Sequence, residues 1–470
     1  MSAVEPLSVD ASSPSAAPLS MDASSPSAMP LSMDPLSPAA TPPADIIVCK
    51  FGGTSVATAQ RMQAAARRLV QYHQQGRQVV AVVSAMGHTT DDLTALALSV
   101  NPNPPSRELD RLLGTGEQAS MAVLAMAIEA LGVPAVSLSG RQAGILATTV
   151  YSHAQIAEVN AERIQAELNR QRIVVVAGFQ GITSGGDIAT LGRGGSDTTA
   201  VAIAAALPAD LCEIYSDVDG IYSADPRLVS TARKLETISY EEMLELASAG
   251  AGVLQSRAVE VARNFGVTVC CRNAFNDRAG TIIRGDSEME MEAPIVTGIA
   301  CDHTESKVTI RGVPDRVGIA AELFSAIAGA DVNVDMIVQN ISEGGTTDIS
   351  FTVPTSELSR LRPVLDELVD RLGIRGYLTA GQVAKVSLVG AGMKSNPGVA
   401  AQMFKVLAEH SINIDMISTS GIRISVVIDA ERMTEAAQAL HTAFGLDSAQ
   451  IFEDTQLSAA EQRAKLQKGR

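Results

Sequence analysis

The sequence lacks an excess of basic residues, because 52 aspartates and glutamates outnumber 36 lysines and arginines and give a net charge of −16. A protein that binds nucleic acid needs a basic face for the phosphates, so this balance argues against a nucleic-acid partner. The sequence also lacks an apolar run of the roughly 18 to 20 residues that a membrane span requires, and it has no secretory signal pattern at its N-terminus. We therefore expect a soluble, cytoplasmic protein that acts on a small molecule, with no nucleic-acid or membrane partner.

Cysteine is also scarce, and its spacing indicates neither a disulfide framework nor a metal site. The cysteines form an odd set without a CxxC pair, and adjacent cysteines rarely bridge each other. We expect buried, reduced thiols of the kind found in cytosolic proteins. The residues are Cys49, Cys212, Cys270, Cys271 and Cys301.

Residues 1–44 have the composition of a disordered tail. The stretch 6–14 recurs at 18–26 with one change, and Pro, Ser and Ala dominate. Such a segment buries too little apolar surface to offset the entropy of ordering it. It contains no Lys or Arg, which argues against a transit peptide. A second solvated tail is expected at 458–470.

The chain of 470 residues is long enough for two or three domains, and residues 45–290 have the pattern of an α/β domain. Continuous apolar strands alternate with helical segments, which is typical of a mainly parallel sheet covered on both faces. After a first strand that ends near Lys50, the predicted strands are 79–84, 135–138, 173–178, 211–216 and 267–271. The predicted helices are 58–75, 107–131, 160–171, 198–207 and 241–265.

The C-terminal third contains an internal duplication with a period near 80 residues. The segment 332–337 (VNVDMI) matches 412–417 (INIDMI). Around each copy the order β-α-β-β-α-β predicts a ferredoxin-like unit, a small antiparallel sheet with two helices on one face. We place these α+β units at 305–380 and 384–457, and they can either pack side by side or exchange strands.

A glycine-rich loop at 48–56 (VCKFGGTSV) is the first candidate for a phosphate site. Lys50 ends an apolar strand, Gly52 and Gly53 follow, and Thr54 or Ser55 is available to cap a helix. Glycines allow close approach of the backbone to phosphate oxygens, and a helix N-terminus favours anions. The spacing excludes a Walker A motif. Taken alone, such a turn is equally consistent with tight packing.

A second glycine-rich loop at 190–199 (TLGRGGSDTT) also opens onto a predicted helix. The planar fork of Arg193 can hold a carboxylate through two hydrogen bonds, with Ser196 adding another. Glu117, at the start of an apolar helix, can pair with an ammonium group, so the two residues together form a clamp for an amino acid. Taken singly, Arg193 can be a solvated surface residue and Glu117 a complement to the helix dipole. A third segment, 213–227, leaves the end of a strand where ligands bind in open α/β sheets.

These motifs occur in an order that resembles the monofunctional aspartate kinases of the amino acid kinase superfamily, over about residues 46–455. The C-terminal duplication resembles a tandem pair of ACT domains. The motifs are KFGGTSV at 50–56, VVSAMG at 82–87, GFQG at 178–181, TLGRGGSDTTA at 190–200 and YSDVDGIYSADPR at 215–227.

The resemblance implies an enzyme that uses ATP and Mg²⁺ to phosphorylate the side-chain carboxylate of L-aspartate, the committed step toward lysine, threonine, methionine and diaminopimelate. An acceptor carboxylate with a pKa near about 4 is already ionised at neutral pH, so no general base is required. The obstacle is repulsion between this anion and the polyphosphate, which positive charge and amide dipoles must offset. Magnesium is expected to be held through ATP oxygens and water rather than at a protein metal site.

The family pattern assigns a role to each matched residue. Lys50 stabilises the phosphates and the transition state, and Asp197 orients it; Arg193 holds the α-carboxylate of aspartate, and Glu117 holds the α-ammonium. The implied catalytic residues are Lys50, Arg193 and Asp197. The residues implied in the aspartate pocket are Ser84, Thr90, Glu117, Phe179, Arg193, Gly194, Gly195 and Ser196. Those implied beside the nucleotide are Lys50, Gly52, Gly53, Ser55, Ser216, Asp217, Tyr222 and Arg227.

The sequence departs from the family pattern at three positions. Gly252 stands where many relatives have a phosphate-contacting lysine, so either Arg257 or another cation substitutes or turnover is reduced. Gln118 stands where an arginine is frequent, and Val317 stands where an ACT loop commonly has proline.

The ACT resemblance implies an effector site between two units, which binds lysine, threonine or both and favours a less active arrangement. Asn and Asp at such turns can instead make local backbone bonds. ACT sheets usually pair with another chain, which implies a homo-oligomer, and a start near Met289 or Met291 would give a separate regulatory subunit. The implied effector residues are Asp315, Asn333, Val334, Asp335, Gln339, Asn413 and Ile414.

Two other functions remain open at this point. One is a non-catalytic amino-acid sensor of the same fold, for which Gly252 is the only indication. The other is a related kinase that acts on glutamate, acetylglutamate or a nucleotide. The tandem ACT pattern and the GRGGSDTTA motif favour aspartate over these acceptors.

Overall fold

The computed structural model describes residues 45–285, 295–339, 344–381 and 383–447. The predicted tails at 1–44 and 458–470 and the alternative start near Met289 or Met291 lie outside these ranges. None of the helices within them combines the length and the apolar character needed to cross a bilayer.

The α/β part is built around an eight-stranded sheet with the order β10-β12-β11-β9-β1-β2-β6-β3. A second, small sheet has the order β5-β4-β7-β8 and was not predicted from the sequence. The strands are β1 (Ile46–Phe51), β2 (Gln78–Val83), β3 (Ala135–Leu138), β4 (Ile145–Ala147), β5 (Ile156–Val159), β6 (Ile173–Ala177), β7 (Gln180–Ile182), β8 (Ile188–Thr190), β9 (Leu211–Ser216), β10 (Thr237–Ser239), β11 (Val269–Asn273) and β12 (Thr281–Arg284).

Helices cover both faces of the large sheet and create one apolar core on each side. Strands β1, β2 and β6 supply alternate residues to the two cores, which explains why their sequences are apolar throughout. The helices are α1 (Ala59–Gln74), α2 (Thr89–Val100), α3 (Ser106–Glu129), α4 (Glu162–Asn169), α5 (Gly195–Ala206), α6 (Tyr240–Ser248) and α7 (Ser256–Phe265). Of these, α2 was not predicted.

The predicted helix at 241–265 is wrong, because the structure divides it into α6 and α7. The start of α6 is fixed by Ser239, which forms a capping box with Glu242. The break falls at Gly250, whose φ of +113° few residues other than glycine adopt. A Cβ on Gly250 would lie 2.7 Å from the carbonyl oxygen of Cys301, so this turn packs closely against a later part of the chain.

The two C-terminal repeats form separate four-stranded antiparallel sheets, which confirms the α+β prediction. The first repeat contains β14 (Glu305–Pro314), α8 (Ile319–Gly329), β15 (Ile337–Gln339), β16 (Thr346–Pro354), α9 (Leu358–Leu372) and β17 (Gly376–Ala380). The second contains β18 (Val383–Val389), α10 (Val399–Glu409), β19 (Met416–Thr419), β20 (Arg423–Asp429) and α11 (Met433–Ala443).

The sheet of the second repeat is completed by a strand from elsewhere in the sequence. Strand β13 (Gly298–Asp302) precedes the first repeat, yet it pairs antiparallel with β18, so the order is β13-β18-β20-β19. In the first repeat the equivalent position beside β14 belongs to that repeat's own last strand, β17. The first repeat is therefore inserted between two neighbouring strands of the second sheet, and among the described residues no strand of one repeat joins the sheet of the other.

Candidate active site

The C-terminal ends of four strands meet at one edge of the large sheet. Strands β9, β1, β2 and β6 are parallel neighbours, with β9 and β1 on either side of the point where the strand order reverses. The backbone N–H of Gly52 donates to the Tyr215 carbonyl (3.2 Å), that of Ser84 to Phe51 (3.1 Å) and that of Gly178 to Val83 (3.0 Å). Four predicted site segments are thus adjacent, at the edge where ligands bind in such sheets.

Lys50 and Asp197 form an ion pair at this edge. The Nζ atom of Lys50 lies 2.5 Å from Oδ1 of Asp197, and the two side chains are 12% and 9% exposed. Lys50 is the second-to-last residue of β1, whereas Asp197 lies in the first turn of α5. The pair therefore joins the two glycine-rich loops and holds an ammonium group beside the N-terminus of a buried helix, where an anion is favoured.

The first glycine-rich loop differs in detail from the prediction. Helix α1 is capped by Thr58, and not by Ser55, whose hydroxyl instead donates to the Tyr215 carbonyl at 3.5 Å. The N–H of Gly52 is occupied by the same carbonyl, so it is not free to bind phosphate. A Cβ on Gly52 would lie 3.6 Å from Nζ of Lys50, and one on Gly53 would lie 3.0 Å from the Ala85 carbonyl. These glycines leave room around Lys50 and against the loop after β2.

The second glycine-rich loop is packed tightly around the start of α5. Gly194 has a φ of +71°, and a Cβ on it would lie 1.8 Å from Cγ of Gln255, so only glycine fits. A Cβ on Gly178 would meet Oγ of Ser196 at 2.7 Å, which shows that Ser196 lies against the end of β6. Phe179, with a φ of +66°, packs against Gly195. Strained backbone of this kind is concentrated at functional sites.

Glu117 is a buried carboxylate that the protein leaves half satisfied. Its side chain is 2% exposed, and Oε1 accepts a hydrogen bond from the N–H of Ala85 (3.0 Å) in the loop after β2. Its other oxygen, Oε2, is buried without a hydrogen-bond partner among the described residues. Burial raises the pKa of this carboxyl from 4.5 to about 7. An unpaired buried carboxylate oxygen is costly, and a cationic group would remove that cost.

The other predicted pocket residues differ in their burial and in their contacts. Ser84 and Thr90 are half-buried on either side of Ala85, in the loop after β2 and the first turn of α2. Arg193 is exposed, and within the described ranges no hydrogen bond or ion pair holds its guanidinium. Gln118 donates to Gln180 at 3.2 Å, so its amide is engaged with the small sheet.

The segment after β9 contains the residues predicted to contact the nucleotide. Ser216 and Tyr222 are half-buried, whereas Asp217 and Arg227 are exposed. Arg227 pairs with Asp225 at 2.7 Å, so its charge is already partly neutralised.

One anchor of this segment was missed. Asp219 accepts hydrogen bonds from Asn273 (2.7 Å), Asn276 (2.8 Å) and Arg278 (2.9 Å), and these contacts hold the pKa of its carboxyl below the usual range, the amide of Asn276 contributing most. The aspartate itself lies within the YSDVDG motif, but its partners follow β11, more than 50 residues later.

Arg257 does not occupy the position of the absent lysine. Its guanidinium donates to the carbonyls of Leu191 (2.6 Å) and Ala154 (3.1 Å), so it joins the second glycine-rich loop to the segment before β5. Gly252 itself is exposed, and a Cβ on it would have nothing within 4 Å.

One predicted effector residue, Asp335, lies at the junction of the two repeats, which are joined by reciprocal ion pairs. Asp335 of the first repeat lies 2.5 Å from Nζ of Lys385 in the second, and Asp415 of the second lies 3.0 Å from Nζ of Lys307 in the first. Lys385, whose side chain is 3% exposed, also contacts Glu305 at 3.2 Å. Because each aspartate occupies the same position in its repeat, the junction has approximate two-fold symmetry.

The remaining effector candidates have less defined surroundings. Asn333 and Asn413 are exposed at equivalent positions, and the N–H of Asn333 donates to Glu357 (2.9 Å). Val334 and Ile414 are half-buried, while Asp315 and Gln339 are exposed. Within the described part of the chain, no hydrogen bond joins Asp315 to the other predicted effector residues.

Comparison with known families supports this organisation. Residues 45–273 match the model of the amino acid kinase family, and residues 308–373 and 386–444 each match an ACT domain model.

Relatives with the same arrangement span most of the chain. It is 51% identical to an aspartokinase of Mycolicibacterium smegmatis over 417 residues, which cover 87% of this chain and 99% of the relative. It is 49% identical to an aspartokinase of Corynebacterium glutamicum over the same length and shares. Among solved structures, it resembles E. coli aspartokinase III in complex with aspartate and ADP, with a TM-score of 0.74 and 25% identity over 85% of this chain and 99% of that one. The same enzyme in complex with lysine and aspartate gives a TM-score of 0.67 at 25% identity, with the same coverage.

Proposed function

Since the chain belongs to the aspartokinases, with an amino acid kinase domain followed by two ACT domains, we propose that it transfers the γ-phosphoryl group of ATP to the side-chain carboxylate of L-aspartate. The product is 4-phospho-L-aspartate, and the reaction is inhibited by lysine, threonine or both. The E. coli relative that binds aspartate and ADP supports this choice of substrates. We place the reaction in the cytoplasm.

Lys50 is the principal electrophilic group in this proposal. Its ammonium lies next to Asp197 and the N-terminus of α5, where it can neutralise charge on the β- and γ-phosphates as the phosphoryl group transfers. Asp197 holds the ammonium in one position, and the glycines around it leave space for phosphate oxygens. Mg²⁺ would arrive with ATP, bound by phosphate oxygens and water, since the described residues contain no cluster of three or more metal-binding side chains.

The choice of an amino acid as acceptor depends on one observation, the unpaired Oε2 of Glu117. A buried carboxylate without a cation is poorly stabilised in the free protein, and the α-ammonium of aspartate supplies the missing charge. Arg193, which is exposed and has no hydrogen-bond or ion-pair partner in the described part of the chain, closes over the α-carboxylate when substrate binds. The side-chain carboxylate then faces the γ-phosphate between Ser196 and Lys50.

Regulation is assigned to the junction of the ACT domains. The effector would bind near Asn333 and Asp335 and change the reciprocal ion pairs that join the repeats. Because β15 and β19 are edge strands, a second chain can extend either sheet, so we propose a homo-oligomer formed through the ACT domains, with a separate regulatory subunit as a further possibility.

The test is formation of aspartyl hydroxamate from aspartate, ATP and hydroxylamine. Lys50→Ala should lower turnover by about 10²- to 10³-fold or more, because it removes the main charge that stabilises the transition state. The matched control is Lys405→Ala, since Lys405 is exposed on α10 and, among the residues that the structure describes, pairs only with Glu409. Near-normal activity of Lys50→Ala, with circular dichroism and oligomer size unchanged, would remove Lys50 from the mechanism.

The same assay separates the alternatives. A kinase for glutamate or acetylglutamate forms hydroxamate with that acceptor and not with aspartate. A non-catalytic sensor and a nucleotide kinase both form none, and only the nucleotide kinase releases ADP when the nucleotide acceptor is added.

A further inference from the structure

Residues 224–229 of the segment that follows β9 pack into the second ACT domain, whereas Ile221, just before them, packs into the kinase core. Ala224 and Val229 are buried, and they belong to the same apolar cluster as Ile299 of β13 and Leu440 of α11. Ser216 and Tyr222, the proposed nucleotide contacts, lie in the same segment. The second ACT domain therefore packs against the segment that contains the proposed nucleotide contacts.

Ser223 is the residue through which this support reaches Tyr222. It is fully buried and directly follows Tyr222 in the chain. Its N–H donates to the carbonyl of Arg233 (2.8 Å), and its own carbonyl accepts from the N–H of Ile299 in β13 (2.7 Å). Its hydroxyl accepts from the N–H of Arg233 (2.9 Å). Three hydrogen bonds thus fix the backbone next to the nucleotide contact.

The fourth contact of Ser223 crosses to α11. Nε2 of His441, also fully buried, lies 2.9 Å from the Ser223 hydroxyl. The other ring nitrogen, Nδ1, is buried without a hydrogen-bond partner among the described residues. Two neighbouring hydrogen bonds join the same parts of the chain. Gln438 of α11 donates to the Leu228 carbonyl (2.8 Å), and Arg233 donates to the Leu446 carbonyl, which follows α11 (2.9 Å). A buried imidazole with only one of its two nitrogens hydrogen-bonded is costly for stability, which favours a role for it beyond packing.

We propose that His441 is a positioning residue for the nucleotide site, which acts through Ser223 to hold the segment of Ser216 and Tyr222 in its binding conformation. The position of the second ACT domain then sets the affinity for ATP. This inference rests on the proposed function, because it takes the segment to be the nucleotide-binding one.

The test compares His441→Leu, His441→Gln and Ser223→Ala by the dissociation constant of a fluorescent ADP analogue and by the KM values for ATP and aspartate. Loss of one buried hydrogen bond is expected to weaken nucleotide binding by about three- to tenfold, with kcat and the KM for aspartate changed by less than about twofold. His441→Gln should restore most of the affinity, since its amide nitrogen can occupy the place of Nε2. The double variant Ser223→Ala, His441→Leu should be no weaker than the more affected single variant, because both lose the same contact.

The matched control is His410→Gln, because His410 bonds to Glu435 within the same domain. Wild-type nucleotide affinity in folded His441→Leu and Ser223→Ala would overturn the proposal, and Ser223→Ala decides alone if His441→Leu does not fold. A lower kcat, higher KM values for both substrates and a lower thermal stability, all together, would also overturn it, since that is the result of a structural role alone. Failure of the proposed function is seen separately, as absence of hydroxamate from a wild-type chain that still binds the analogue.

Discussion

The pH dependence of aspartate binding should report the protonation of Glu117. Burial raises the pKa of this carboxyl from 4.5 to about 7, so in the free protein it is about half ionised at neutral pH. The α-ammonium of aspartate pairs only with the ionised form. Binding therefore draws a proton off Glu117, and the apparent affinity falls as the pH drops below 7.

The size of the effect follows from the pKa. At pH 6 only about one Glu117 in ten is ionised, so the dissociation constant for aspartate should be about tenfold higher than at pH 8. At pH 7 about half a proton should be released for each aspartate bound. A rise in pKa from 4.5 to about 7 corresponds to roughly 3 kcal/mol at about 1.4 kcal/mol per pH unit. The folded state holds this proton more tightly than the unfolded chain does, so stability falls as the pH rises from 4.5 through 7.

Calorimetry in two buffers of different ionisation enthalpy measures both the affinity and the proton release. Glu117→Gln should abolish the pH dependence between 6 and 8, raise the dissociation constant by about ten- to a hundredfold and remove the decline in stability over pH 4.5 to 7. Glu129→Gln, at the exposed end of the same helix, is the control. A wild-type affinity that stays constant from pH 6 to 8, with no proton released, would refute the assignment of Glu117 to the ammonium.

Three further outcomes follow. Gly252→Lys should lower the KM for ATP about threefold, because a side chain there enters open space and adds a cation, whereas Gly252→Ala should change nothing; an unaltered KM would show that the position is remote from the phosphates. Asn333→Ala should raise the concentration of lysine or threonine needed for half inhibition about tenfold with the uninhibited rate unchanged, and an unchanged inhibition curve would exclude this effector site. Lys385→Met should lower the free energy of unfolding in urea by about 3 kcal/mol or more, because Glu305 and Asp335 lose their cation. A loss below about 1 kcal/mol would mean that water screens this cluster.

Sequence reasoning succeeded where local chemistry is sufficient. The strand Leu211–Ser216 was predicted with the bounds that the structure shows, because a strand buried on both faces reads as a continuous apolar run between polar turns. The edge strand Ala135–Leu138, which is mostly half-buried, was also predicted with its observed bounds. The proximity of Lys50 and Asp197 was implied by the family resemblance and not by local chemistry, and the fold brings the two motifs to one edge. The half-satisfied state of Glu117 did not follow, because it depends on the Ala85 N–H and on the burial of the other oxygen.

The errors have a common cause, which is contact with distant parts of the chain. Helical periodicity runs through 241–265, but the close packing of Gly250 on Cys301 ends α6 there. The N–H of Gly52 resembled a free phosphate donor in the sequence, yet β9 lies beside β1 and the Tyr215 carbonyl takes it. Arg257 was a candidate replacement for the missing lysine, but its guanidinium donates to the carbonyls of Leu191 and Ala154. Each of these partners lies far away in sequence, so a local pattern carries no trace of it.

The pairing of β13, which precedes the first repeat, with β18 of the second has a mechanical consequence. Only His303 and Thr304 separate β13 from the first strand of the first repeat, and that repeat ends at Ala380, just before β18 begins at Val383. The first ACT domain is thus held by two short connections to two neighbouring strands of the second domain's sheet. One of those strands, β13, also donates the hydrogen bond that fixes the Ser223 carbonyl. Because short connections absorb little movement, we expect a rotation of the first domain to displace β13 and the proposed nucleotide segment with it. Such a displacement would give an effector bound between the repeats a direct route to the proposed site of phosphoryl transfer.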